Sequence, residues 1–263
     1  MAEFWGDAEA VARQKRLLAR RTVLHSNPFL SSGGRLLAYT DPTLGSWEAA
    51  RPLAQEDGIL GLLLMTRHEA DAIVAGGLGD GWQTDYWDAL IGGAEAVVEA
   101  SGRVLASSKL QEGWSVDVMQ VPGDADIEDM QRLNASCGVA SNPAYVFRGE
   151  THPALSVLVR DGNGRAMAMA WAGLFFHPDG PCAGTVFVGL VSVADEARGL
   201  GLGTYVNARV LVESHATMGW SRATEFVAAD NIPSRRMVLA CGLSDAGGLV
   251  AAIATRGAGR FTR

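Results

Sequence analysis

Arg198, Gly199, Gly201 and Gly203 stand together in the stretch Arg198-Gly-Leu-Gly-Leu-Gly-Thr204, and their types suit the capture of an anion. Residues without a Cβ let backbone N–H groups approach a ligand closely. The stretch follows an apolar run, Val186 to Val193, and opens a helical pattern with Leu202, Val206 and Val210 on one face. The first N–H groups of a helix have no intrahelical partner, and the helix dipole adds positive potential there. Arg198 contributes a full charge and a forked donor beside them. The segment Arg198, Gly199, Leu200, Gly201, Leu202, Gly203 and Thr204 is therefore a candidate phosphate cradle, of a size suited to a diphosphate.

Other phosphate loops do not fit. A Walker loop needs Gly, four residues, then Gly-Lys and Ser or Thr, and no such string occurs. The dinucleotide fingerprint needs a third glycine three residues after the second; those positions hold Thr204 or Val206. What remains is Arg-x-x-Gly-x-Gly at Arg198, Gly201 and Gly203. Downstream, a strand-like run from Thr224 to Ala229 leads into Asp230-Asn231-Ile-Pro-Ser234, then Cys241-Gly242-Leu243. The two segments resemble, in order and spacing, the acyl-CoA site of the GCN5-related N-acetyltransferase (GNAT) family. The plainer readings stay open beside it: the glycines as a tight packing corner, and Asn-x-x-Ser as a helix cap.

The resemblance implies an α/β fold of the α+β type, a mixed and mostly antiparallel sheet flanked by helices. It implies acetyl-CoA as co-substrate, no metal, and transfer of the acetyl group to an amine by direct attack. By position, Val191 and Val193 would offer backbone groups to pantetheine docked like an added strand, and Asn231 and Ser234 would face the pantetheine and sulfur end. Two family features are absent. The position of the usual proton-donating tyrosine, seven after the asparagine, holds Val238, with Met237 beside it. The central strand Thr185 to Val193 carries no carboxylate. Glu225, Asp230, His177, His215 and Tyr145 are the nearest titratable candidates, and the sequence leaves the catalytic residues unassigned.

The elements that must position the cradle read clearly in the C-terminal part. Trp114 to Val121 alternates as a strand, and an acidic helix start follows at Asp124. Leu155 to Arg160 and Ala166 to Phe176 flank the hairpin turn Asp161-Gly-Asn-Gly164. Thr185 to Val193 is the central strand, and Leu249 to Thr255 the last. The expected division is 1–112, a region of unknown role, and 113–263, the acyl-CoA-binding domain. In the first region Ala8 to Arg20 predicts an amphipathic helix, Arg35 to Thr40 and Ile59 to Thr66 strands or buried segments. Asp85 to Ala100 predicts a second helix, and Gly76 to Gly81 a flexible loop. That region is read as mostly helical or as a degenerate α/β half, with no convincing internal repeat.

The 263 residues are nearly half hydrophobic and carry a net charge of −7, enough for a sizeable core and unfavourable for phosphate-rich nucleic acid. Three scattered cysteines suggest neither a disulfide framework nor a zinc site. The longest apolar run, Ile59 to Met65, is too short to span a bilayer. The expectation is a cytoplasmic protein acting on a small-molecule amine, without nucleic-acid or membrane partners, with a homodimer left open. A non-catalytic acyl-CoA sensor or scaffold, and a two-part protein whose first half selects a protein partner, are the alternatives.

Overall fold

The computed structural model describes residues 3–257. Residues 1–2 and 258–263, at the ends of the two predicted regions, lie outside the described residues. The N-terminal part runs α1 (Ala8–Ala19), α2 (Arg21–His25), β1 (Leu30–Ser31), β2 (Ala38–Tyr39), α3 (Trp47–Asp57), β3 (Ile59–Thr66) and α4 (Arg67–Ile73). A π-helical turn, Val74–Leu78, leads to β4 (Trp82–Gly93) and α5 (Ala94–Ser107). Then come β5 (Ser115–Met119), α6 (Asp124–Ser136), α7 (Ala144–Phe147), β6 (Ala154–Arg160), β7 (Ala166–Gly173) and β8 (Thr185–Val193). The chain ends with α8 (Leu202–Met218), β9 (Arg222–Val227), α9 (Ile232–Ala240) and β10 (Ser244–Arg256).

All ten strands among the described residues join one sheet, in the order β1-β2-β3-β10-β4-β9-β8-β7-β6-β5. Only β2 with β3 and β8 with β9 run parallel; every other neighbour is antiparallel. The expected mixed, mostly antiparallel sheet is thus present. Helices α5, α8 and α9 cover one face, where Leu202, Val206 and Val210 are buried as their spacing predicts. Helices α6 and α7 cover the other, through Ile127, Met130, Tyr145 and Phe147. The interior strands β3 and β8 are mostly apolar because both faces are covered.

The first region is α/β, not mostly helical: its strands continue the sheet, and β10 lies between β3 and β4. The predicted helix over Asp85 to Ala100 is corrected. Residues 82–93 form β4, and the helix begins at Ala94. β4 is an interior strand, so apolar and aromatic residues occupy both its faces and imitate a helical stripe. The Ala/Glu-rich run that follows is the true helix. Helices α3 and α4 escaped prediction, and half of the expected Gly76 to Gly81 loop belongs to the π-helical turn. Helix α4 is closed at its start by a capping box, with Thr66 accepting from the Glu69 N–H and Glu69 accepting from the Thr66 N–H.

Helix α1 and the residue that ends it are tied to the end of α3 by ion pairs around a buried carboxylate. Asp57, whose side chain is fully buried at the end of α3, takes Arg16 Nε at 2.6 Å and Arg20 Nη1 at 2.8 Å. Next to it Gly58, at φ 66°, ends α3 in the left-handed conformation that glycine adopts without strain and turns the chain into β3.

Candidate functional site

β8 and β9 share only three rungs, the last joining Phe187 to Thr224. Beyond it the parallel strands form no ladder with each other. On its other side β8 pairs with β7, with Trp171 opposite Gly189 and Met169 opposite Ser192. That register leaves two β8 residues, Leu190 and Val191, against the single Ala170. Such a bulge needs an unusual backbone, and Leu190 supplies it at φ 56°. A non-glycine residue in this region costs on the order of 1–3 kcal/mol and persists only where the surroundings enforce it. The bulge also moves a side chain: Val186 and Val188 pack under the helices, whereas Leu190 joins the opposite core. The backbone of Val191 is therefore left without a strand partner beside an opening in the sheet.

The cradle stands at the end of β8. Gly199 and Gly201 have φ values of 80° and 76°, which any Cβ would strain although nothing lies near enough to clash with it. Gly201 is the N-cap of α8, and among the described residues no side chain caps that terminus. The N–H groups of Leu202, Gly203 and Thr204 are thus left for a ligand. Arg198 is more than half exposed beside them and pairs with Asp195 at 2.7 Å. Leu200 is exposed on the same loop. The turn in the first region between β3 and α4 is closed by the Glu69 carboxylate, whereas the turn into α8 carries no side-chain cap.

Asn231 and Ser234 make the cap that the plainer reading foresaw. Asn231 Oδ1 accepts from the Ser234 N–H at 3.1 Å and starts α9. Ser234 additionally lines the central cavity with Met237, whereas Asn231 is exposed. Val191 lines the cavity too. Val193 does not, and its carbonyl accepts from the Cys137 thiol at 3.4 Å. Val238 is fully buried in the core under the helices.

The cavity holds about 230 Å³ and runs through the parted strands. Phe187, Trp171 and Leu190 wall it on one face; Glu225, Ser234 and Met237 approach from the other. The first region supplies Arg35 and Leu36 from the β1–β2 connection, Leu63 of β3 and Trp87 of β4. This is a structural contribution of residues 1–112 that the sequence did not disclose.

Of the titratable candidates, geometry selects Glu225. It is the first residue past the last rung, 3% exposed, and accepts from Asn207 Nδ2 at 2.8 Å through Oε1. Among the described residues no hydrogen bond reaches Oε2. Burial pushes its carboxyl up to about 8, against the lowering effect of the Asn207 bond, so it holds its proton at neutral pH. The other candidates lie elsewhere. Asp230 is exposed in the turn before α9, and His215 packs edge-on against Trp220. Tyr145 and His177 line a separate hollow of about 340 Å³, where the Tyr145 hydroxyl donates to the Gln14 carbonyl and burial pushes its pKa up. His152 belongs there as well, half-buried, with its pKa pushed down to about 4 by desolvation. A third hollow, between α1 and the loop after α6, is larger still, about 620 Å³, yet it does not reach the parted strands. Among the described residues no helix is long and apolar enough to cross a membrane.

No protein-family model matches this chain, and no curated protein matches its sequence. Solved structures match its fold. A GCN5-related N-acetyltransferase from Kribbella flavida shares 17% identity at a TM-score of 0.57, over 95% of this chain and 98% of that one. A GCN5-related N-acetyltransferase-like protein from Streptococcus suis shares 14% at 0.55, over 93% and 98%. A tandem GNAT protein from the clavulanic acid biosynthesis pathway, without AcCoA, shares 15% at 0.52, over 81% and 69%. The fold is GNAT-like, and the likeness extends over most of the chain rather than its C-terminal part alone.

Proposed function

We propose that this protein is an N-acyltransferase that moves an acetyl group from acetyl-CoA to the amine of a small molecule. One observation carries the reading: the uncapped glycine turn at the start of α8 and the parting of β8 from β9 meet at a single cavity. In this reading the CoA diphosphate rests on the N–H groups of residues 202–204 with Arg198 beside it. Pantetheine lies along the unpaired backbone near Val191, which brings the thioester to the cavity. Residues 113–263 then form the acyl-CoA domain, and residues 1–112 complete the acceptor wall.

Chemistry at the vertex follows from Glu225. The neutral amine attacks the thioester carbonyl carbon, and a backbone N–H near Val191 stabilises the oxyanion. On collapse the C–S bond breaks. Glu225 gives its proton to the departing sulfur and takes one from the ammonium of the intermediate, so it is regenerated. A protonated carboxyl on β9 thus does the work that the family's tyrosine does from the position of Val238.

Thermal unfolding with and without millimolar acetyl-CoA, on wild type and Arg198→Glu, tests the cradle. Ligand at about a hundred times its Kd adds roughly 2.7 kcal/mol, which raises Tm by roughly 5–10 °C in a chain of this size. The rise should vanish in the variant. A second reading, a non-catalytic acyl-CoA sensor, is favoured by Val238 and by the lack of a carboxylate on β8. Release of free CoA thiol in the presence of amines separates the two.

A further inference from the structure

The chemistry of the cavity wall identifies the class of acceptor, on the premise of the acyltransferase reading above. Three aromatic rings crowd its centre: Phe187 stacks on Phe226 at 5.4 Å between centroids and meets Phe175 edge-on at 5.6 Å. Trp171 lies 6.3 Å from Phe187, and Trp87, Leu36 and Leu63 continue the apolar lining. Two ionisable side chains line it. Glu225 is neutral at the vertex, and Arg35 is a cation whose Nη1 donates to the Ala140 carbonyl at 3.0 Å and whose pKa burial pushes down to about 10.

We infer that the acceptor is a primary amine carried on an apolar, ring-sized body, with its single nitrogen at Glu225 and its body among the aromatic rings. Size supports this. An apolar cavity of about 150 Å³ takes up benzene. The 230 Å³ here, open to one side, accommodates a ring and a short carbon arm. Charge supports it as well. A second ammonium, as in a polyamine, would meet Arg35 in a space without an anionic partner, and sugar hydroxyls would lose water without regaining hydrogen bonds from phenyl and indole walls.

The test reads amine binding and acyl-CoA binding separately. Quenching or enhancement of tryptophan fluorescence, with Trp87 and Trp171 in the wall, is titrated with 2-phenylethylamine, hexylamine, spermidine and glucosamine, without any CoA species present. The first two should bind at least tenfold more tightly than the last two and, with acetyl-CoA added, be acetylated at least a hundredfold more efficiently in kcat/KM. Leu36→Trp, in the β1–β2 connection, fills the cavity and should lower phenylethylamine affinity at least tenfold. Leu36→Met should restore it, and both should keep the acetyl-CoA thermal shift. Equal or preferred binding of spermidine or glucosamine overturns the inference, even where acetyl-CoA binds. So does an octanoyl-CoA affinity tenfold above that of acetyl-CoA that is lost in Leu36→Trp, since the cavity would then house the acyl chain. Absence of an acetyl-CoA shift in wild type overturns the acyltransferase reading instead, while the fluorescence titration still decides the cavity's preference.

Discussion

Asn207 Nδ2 on α8 donates to Glu225 Oε1 on β9 across 2.8 Å, in a site where both residues are buried. Helix α8 starts at the glycine turn proposed to hold the anion, so this bond ties that turn to the carboxyl at the vertex of the parted strands. Neither group could be removed without leaving the other short of a partner in a dry place, which makes the pair a rigid link and not a surface contact.

Replacing Glu225 by Gln keeps the shape and the Asn207 contact but removes the transferable proton. Turnover with a saturating amine should fall by about a hundredfold or more, the usual worth of a positioned acid. The acetyl-CoA thermal shift should stay. In wild type kcat/KM should decline above about pH 8, as the carboxyl loses its proton, and that alkaline limb should be missing in the variant. An unchanged turnover would remove Glu225 from the mechanism.

The same group gives stability a pH slope of known sign. Its folded pKa, about 8, lies above the ordinary carboxylate value, so between those two pH values the folded protein holds a proton that the unfolded chain has released. Stability must therefore fall as pH rises through that window. Denaturant midpoints of wild type and Glu225→Gln, measured from pH 6.5 to 8, should converge in slope to a flatter line in the variant.

His152 acts on the acid side. Burial holds its folded pKa near 4, below the value of 6.5 for a free imidazole, so the unfolded chain binds the extra proton in between. Stability contributed by keeping this ring neutral is lost as pH falls from about 6.5 towards 4. His152→Phe should flatten that limb; in the overlap near pH 5–6 the Glu225 slope opposes it, so the comparison is cleanest in a Glu225→Gln background.

Two cradle glycines should fail for different reasons. Gly201 at φ 76° has open space around a notional Cβ, so Gly201→Ala should cost roughly 1 kcal/mol of stability through backbone strain. Gly203 has an ordinary φ, and a Cβ there would sit 3.6 Å from Met237 Sδ and Val193 Cγ2. Gly203→Val would push its γ-carbons into Met237 and Val193 and should cost roughly 1–3 kcal/mol of urea stability through overpacking.

Asp57→Asn tests the clamp on the first region. It leaves Arg16 and Arg20 facing a neutral amide at a fully buried position and should cost on the order of 3 kcal/mol. Because the first region walls the cavity, amine binding should weaken alongside, and an intact amine affinity would show that the wall is held independently of α1.

What the sequence determined by itself was local. The glycine turn at 199–203, the apolar strand before it and the cap at Asn231 depend on neighbours within a few residues, and each is found where its pattern placed it. The fold class came from the family resemblance that those local patterns carry, and the order of strands and helices after Ser115 agrees with it. Tertiary structure decided the rest. Glu225 became the vertex carboxyl only because β8 and β9 part after one particular rung, a relation between residues 187 and 224. Its proton depends on burial by α8, which no spacing of acidic residues encodes. β4 passed for a helix because an interior strand with apolar and aromatic residues on both faces loses its alternation. The role of the first region was invisible for a similar reason: Leu36, Leu63 and Trp87 read as ordinary core, and only the arrangement of the single sheet brings them to the wall of the cavity.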